Sequence, residues 1–156
     1  MGSLVYPKSL PTYQGVPVVT PPIDKTFFGD YDANSPGSDY RSQAIAGTGA
    51  HRFPFTVPDD FNTLVKLELV CSPLASIVNQ QIDLDSEYGA EGQAVNNHST
   101  SVIGGLYTLT GGIWTKIDIT ALFPLLAAGD RCGIFVDHKG IGTTIYYLGV
   151  RLVYIP

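Results

Sequence analysis

The sequence predicts an all-β fold: an antiparallel β-sandwich of jelly-roll type, with an extended N-terminal arm and one short helix. Three observations carry that expectation. Apolar and polar residues alternate with period two from residue 51 onward, turn residues recur at the spacing of a sandwich, and 17 Gly and 11 Pro punctuate the chain.

The totals narrow the class further. At 156 residues one core is the default. Charged residues make up 15 %, against roughly 25 % in an average soluble domain, while 44 % are apolar. Much of the surface is therefore uncharged, which suits an assembly surface. The net charge is −5 and the nine basic residues are scattered singly, so a nucleic-acid partner is not expected, because phosphate binding needs clustered Lys and Arg. No segment reaches the roughly 18 to 20 apolar residues that span a bilayer. The start Met1-Gly2-Ser3-Leu4-Val5-Tyr6-Pro7-Lys8 lacks the basic opening and apolar run of a secretion signal. The expectation is a protein made without export and without a membrane partner.

Residues 1–50 read as the arm and 51–156 as the sandwich. Pro7, Pro11, Pro17, Pro21, Pro22 and Pro36 deny the arm regular periodicity and remove backbone donors, which favours extended or polyproline geometry. Yet Tyr6, Tyr13, Val18, Val19, Ile23, Phe27, Phe28 and Tyr31 give it an apolar load unlike that of a solvated tail. Such a segment needs a surface to lie on.

Strands are expected at 52–57, 65–71, 77–84, 99–110, 113–119, 131–136 and 143–154. In the second, Val65, Leu67, Leu69 and Cys71 face inward and Pro73 ends the run. In the third, Ile82 and Leu84 face inward with Gln81, Asp83 and Asp85 outward, and 86–92 follow as a loop. Gly104-Gly105 marks a bulge or bend in the fourth. Gly111-Gly112 reads as a hairpin turn into the strand where Trp114, Lys116 and Asp118 alternate with Ile113, Thr115, Ile117 and Ile119. Residues 120–130 are the one helical candidate, with Thr120 as cap and Gly129 as terminator. Asp137-His138-Lys139-Gly140 reads as a turn, and the last strand is apolar on both faces, which calls for cover on both sides.

No constellation of catalytic residues emerges. Asp83, Asp85, Glu87 and Glu91 imitate the start of a calcium loop, but Gly89 comes one step late and no helices flank it. His51, His98 and His138 are far apart and outside metal-ligand spacing. His98 beside Ser99 and Ser101 lacks a nucleophile elbow, and adjacent strand residues point to opposite faces. No enzyme activity, metal or cofactor is expected. Tyr107, Trp114, Tyr146 and Tyr147 are candidate ligand or interface aromatics, because flat rings stack on sugars and equally fill subunit contacts. Cys71 and Cys132, mid-strand and without CxxC spacing, read as buried free thiols; pairing between them stays open.

Tyr88-Gly89-Ala90-Glu91-Gly92, Ile117-Asp118-Ile119-Thr120 running on through residues 125–130, and the closing Leu148-Gly149-Val150-Arg151-Leu152-Val153-Tyr154 resemble small jelly-roll structural proteins of tailed-bacteriophage particles, of capsid decoration, cement or head-fibre type. The likeness covers residues 51–156 and rests on turn and strand punctuation. It implies a virion protein that forms a homotrimer and contacts the major capsid or other virion proteins. It also implies that the arm lashes neighbouring subunits through Tyr6, Tyr13, Val18, Val19, Ile23, Phe27, Phe28 and Tyr31. The alternative is a carbohydrate- or host-receptor-binding sandwich of a tail or fibre, which would take a glycan on the exposed aromatics.

Overall fold

A strand buries one face when apolar side chains recur at every second residue, and from residue 50 onward that pattern builds seven strands. The structure is a computed structural model and describes residues 20–28, 33–34, 41–140 and 142–156. In chain order the strands are β1 (Ile23–Phe28), β2 (Ala33–Asn34), β3 (Arg41–Ile45), β4 (Ala50–Thr56), β5 (Thr63–Pro73), β6 (Ile77–Gly89), β7 (His98–Leu109), β8 (Thr115–Asp118), β9 (Arg131–His138) and β10 (Ile145–Ile155), with a 3₁₀ turn at Thr120–Leu122.

The larger sheet runs β2-β3-β10-β5-β8, with β1 also on β10; the smaller runs β4-β9-β6-β7. From β3 onward the order is that of a jelly roll: β3-β10-β5-β8 faces β4-β9-β6-β7, all pairs antiparallel. The inner faces meet in one core. Leu67, Leu69 and Cys71 of β5 and Tyr147, Val150, Leu152 and Tyr154 of β10 pack with Phe53, Phe55, Ile82, Leu84, Tyr88, Ile134 and Val136.

The boundary expected at residue 50 does not coincide with an edge of the sandwich. β1 and β3 lie end to end along the edge of β10 that β5 leaves open, Ile23–Phe28 opposite 149–154 and residues 43–45 opposite 145–147. The extended geometry expected there is realised as sheet pairing within the chain, because an exposed β10 edge offers every backbone donor and acceptor that an extended segment needs. Ile23 and Phe27, expected at subunit contacts, pack against their own chain's core, whereas Phe28 faces outward. Tyr6, Tyr13, Val18, Val19 and Tyr31 lie outside the described residues.

Bulges account for the misread faces. β5 steps from Lys66 to Leu64 against Val153 and Tyr154, so Val65 is the extra residue and points to solvent while Leu64 packs on the core. In β10 the step from Tyr147 to Gly149 moves the inward set from Ile145 and Tyr147 to Val150, Leu152 and Tyr154. The bulge expected at Gly104-Gly105 is present: Gly105 pairs with Ile82 and Val102 with Leu84, and Gly104 has φ +75°.

Four further expectations are corrected. Gly111-Gly112 does not close a hairpin; it carries the chain from β7 in one sheet to β8 in the other, held by Gly112 N–H donating to the Pro73 carbonyl. β6 continues through the expected loop to Gly89, because Ser86 and Tyr88 extend the inward set of Ile82 and Leu84. β9 likewise continues to His138 through the expected turn. The helical candidate shrinks to the three-residue turn, where Thr120 does not cap; its hydroxyl instead accepts the Leu67 N–H at 2.9 Å.

Candidate functional site

Alternation on β1 sends Ile23 and Phe27 inward and Asp24, Thr26 and Phe28 to the outer face of the larger sheet. Register then sets Phe28 beside Gly149, Gly149 beside Val70 and Val70 beside Lys116, across four strands. The next row brings Thr26 to Arg151 and Arg151 to Glu68. Trp114 stands just before β8 at the same end as Lys116. Together Asp24, Thr26, Phe28, Val70, Trp114, Lys116 and Arg151 line an open groove of about 550 Å³.

Both groove aromatics are substantially solvent-facing: Phe28 is 58 % and Trp114 45 % exposed. Beside them lies an ion network. Arg151 donates from Nε to Asp24 Oδ1 at 2.9 Å, from Nη2 to Asp24 Oδ2 at 2.6 Å and from Nη1 to Glu68 Oε2 at 2.5 Å. Lys66 Nζ sits 2.8 Å from Glu68 Oε1, and Lys116 Nζ is 4.0 Å from Oε2. Burial alone would raise the Glu68 carboxyl, but hydrogen bonds from Lys66 and Arg151 outweigh it and hold the group below its ordinary range. Hydrogen bonds to Asp24 and Glu68 push Arg151 higher still. The guanidinium and ammonium groups supply fixed charge and the rings supply flat apolar surface, so the groove can bind; among its described residues no nucleophile is paired with a general base.

The four sequence-singled aromatics are not brought together. Trp114 lines the groove. Tyr107 is half-buried against the core, Tyr146 is half-buried on β10, and Tyr147 is fully buried. Tyr147 is in the core because the β10 bulge lies after it. Its hydroxyl meets His138 Nε2 at 2.8 Å, and burial pushes the phenol well above its ordinary value. The acidic residues of β6 and the following loop do not converge either: Asp83 accepts the Gly104 N–H at 2.7 Å and faces Lys139, Glu87 pairs with Arg52 at 2.9 Å, and Glu91 lies 3.8 Å from Arg131. Among the described residues no three His, Cys, Asp or Glu side chains converge as a metal site. Ser99 and Ser101 share a shallow cleft with Arg52, Asp85 and Glu87, while His98 stacks on Tyr88 at 5.1 Å. Cys71 and Cys132 are both buried and free.

Sequence reasoning singled out Trp114 and Phe28 but not their meeting, and it missed Asp24, Glu68 and Arg151. The alternation Ile23-Asp24-Lys25-Thr26-Phe27-Phe28 was the available signal for a strand with a polar outer face.

No protein-family model and no curated protein matches the chain. Among solved structures it is similar to TmCBM61, a carbohydrate-binding module solved in complex with β-1,4-galactotriose, at a TM-score of 0.40 and 9 % identity, covering 72 % of this chain and 68 % of that one. The likeness is too loose to carry a ligand from that protein to this one.

Proposed function

We propose that the chain is a non-catalytic structural component of a tailed-phage particle, a decoration, cement or minor capsid protein that works as a homotrimer and by contact with the shell. The observation that carries this reading is the free edge of the smaller sheet. β7 is twelve residues long, His-Ser-Thr-Ser-Val-Ile-Gly-Gly-Leu-Tyr-Thr-Leu, without one acid, Lys or Arg. It pairs only with β6 among the described strands, and it exposes Ile103 at 70 % and Leu106 at 62 %. Edges of this kind template pairing with other chains unless charge, proline or shortness blocks them. The other edges among the described strands carry such blocks: β4 holds Pro54 and Arg52, β8 is four residues long with Lys116 and Asp118, β1 carries Asp24 and Lys25, and β2 is two residues long. An edge left greasy where its counterparts are guarded is an edge meant to be covered. Light scattering of the full chain tests this. A trimer mass is expected, shifting toward the monomer in Ile103→Lys/Leu106→Lys with its β-sheet circular dichroism unchanged. A monomer at every concentration up to the solubility limit refutes the reading.

One observation favours a second reading, a glycan-binding module of a tail or fibre: Trp114 and Phe28 share a groove with Arg151, Lys116 and Asp24. Rings stack on sugar faces and fixed charged donors and acceptors bind hydroxyls. Glycan-array binding lost in Trp114→Ala, with the fold intact, supports it; an empty array removes it.

A further inference from the structure

We propose that the outer face of the smaller sheet carries a separate binding site, a cleft around Asp85 and Arg52 that takes a neutral saccharide through two hydroxyls on adjacent carbons. The site lies on the sheet opposite the Trp114 groove and does not depend on the assembly reading.

Register builds the cleft. Arg52 of β4 stands beside Phe135 of β9, Phe135 beside Asp85 of β6, and Asp85 beside Ser101 of β7. The next row sets Pro54 beside Gly133, Gly133 beside Glu87 and Glu87 beside Ser99. Along their strands these residues alternate with core residues such as Phe53, Leu84, Ile134 and Val136, so their side chains leave the sheet on its outer face. Gly133 adds no side chain, and a Cβ there would find nothing nearer than the Glu87 carbonyl at 3.9 Å, so the face is hollow at that point. The cleft holds about 320 Å³, at the lower end of the roughly 300–1,000 Å³ typical of small-ligand sites.

Its polar groups are held in two ways. Arg52 is fixed: Nη1 donates to Glu87 Oε2 at 2.9 Å, and the guanidinium lies over the Phe135 ring at 5.1 Å. The side chain is nevertheless 62 % exposed, and the bond to Glu87 uses only one of its N–H groups. Asp85 is the opposite case. Asp83 accepts the Gly104 N–H and Glu87 takes Arg52, but the half-buried Asp85 carboxylate has no protein partner among the described residues. The exposed hydroxyls of Ser99 and Ser101 have none there either.

That set of groups selects the ligand. Arg52 only donates, ionised Asp85 only accepts, and the serines do both. A cation would satisfy Asp85 and be repelled by Arg52, whereas an anion would gain Arg52 and face two carboxylates. A metal ion is not served, because among the described residues no three His, Cys, Asp or Glu side chains converge. Two hydroxyls on adjacent carbons use every group, one donating to Asp85 and the other accepting from Arg52, both in charge-assisted bonds. Glu87, which anchors the guanidinium, lies two residues from Asp85 on β6, about 6.6 Å along the strand, so donor and acceptor stand within the span of such a pair.

Amide NMR of the full chain tests the site with mannotriose, galactotriose and cellotriose, neutral trisaccharides that between them offer cis and trans hydroxyl pairs. At least one is expected to shift the amides of residues 85, 87, 99, 101, 133 and 135, with or without a chelator. Asp85→Asn keeps the side chain's size and removes no native bond; it should weaken that binding about ten-fold or more while the urea midpoint stays that of wild type. Arg52→Lys replaces a planar fork by a point charge and should weaken it roughly three-fold. Several results overturn the proposal. One is no shift from any of the three sugars at roughly 20 mM, which would fill about 95 % of sites with a Kd of 1 mM. A second is shifts confined to residues 24–28, 70, 114–116 and 151, which place the sugar in the groove of the larger sheet. Binding undiminished in Asp85→Asn, or abolished by the chelator, overturns it as well. Tighter binding of argininamide or inorganic phosphate than of any sugar assigns the cleft to a charged ligand and overturns it too.

Discussion

Arg151 of β10 grips Asp24 of β1 through two nitrogens at 2.9 and 2.6 Å, tying the closing strand to the leading one across 127 residues of sequence. The same guanidinium holds Glu68, whose carboxylate is nearly buried, so its two contacts differ in worth. Asp24 is about half exposed, and an exposed pair contributes up to about 1 kcal/mol. Losing Arg151 leaves a buried carboxylate short of one of its two close cations and costs about 2–4 kcal/mol. Urea unfolding should therefore rank Arg151→Ala well below Asp24→Ala. Both should speed amide exchange across 23–28, because both release β1. Equal costs for the two variants would mean that Lys66 alone satisfies Glu68.

Gly149 marks where β1 comes closest. Its φ is +150°, and a Cβ there would lie 1.9 Å from the Phe27 carbonyl oxygen. Backbone cannot yield as a flexible side chain does, so Gly149→Ala should push β1 off β10 and cost about 1–3 kcal/mol from conformation and clash together. Exchange mass spectrometry should show fast exchange confined to 23–28, with β5 still protected on the other side of β10. Protection of β1 equal to wild type would show that the strands shift together instead.

The architecture was legible from residue 51 because each strand writes its own alternation: Leu67-Leu69-Cys71 and Ile82-Leu84 are inward as their spacing dictates. Phase was legible only as far as the next bulge. Val65 and Tyr147 were misread because one extra residue reverses every face beyond it, and nothing in the local spacing of Val65-Lys66-Leu67 or Tyr147-Leu148-Gly149 announces the insertion. Pairing was less legible still. Gly111-Gly112 has the residues of a hairpin, yet the partner of β8 is β5, over forty positions away, and only the competition among all edges decides that. The groove inherits this difficulty, since it exists only where residues 24–28, 70, 114–116 and 151 are brought into register.

His138 makes stability depend on pH. Burial lowers its imidazole below the ordinary value of 6.5, against smaller opposing effects of Asp137 and the Gly47 backbone. The unfolded chain titrates near that ordinary value and so holds more protons in the interval between the two. Stability is therefore full above pH 6.5 and is lost as pH falls below it, by up to about 1.4 kcal/mol per pH unit for one proton. His51, also lowered by burial, adds in the same direction. Glu68 adds a second loss with the carboxylate sign: its folded value is depressed, so its contribution is present above about 4.5 and goes as pH falls further. Urea midpoints taken from pH 8 to 4 should decline below 6.5 in wild type and decline less in His138→Gln. A flat midpoint between pH 7 and 5 would contradict the assignment.

Cys71 and Cys132 should report on global unfolding. Both belong to the core, Cys71 on β5 and Cys132 on β9, and neither is bonded to the other. Burial pushes the Cys71 thiol up to about 12 and raises Cys132 as well, with the Asp130 charge adding to the second. Only the thiolate attacks a disulfide reagent, so at pH 8 the folded protein presents almost none, and both cysteines are buried. Labelling by an aromatic disulfide should thus be negligible in buffer and should modify both thiols together once urea crosses the unfolding midpoint measured by Trp114 fluorescence. Arg151→Ala should raise the labelling rate in proportion to the stability it loses, because access runs through the open state. Fast labelling of one cysteine in the native protein would reveal a local opening of its strand, and its identity would say which sheet gives way first.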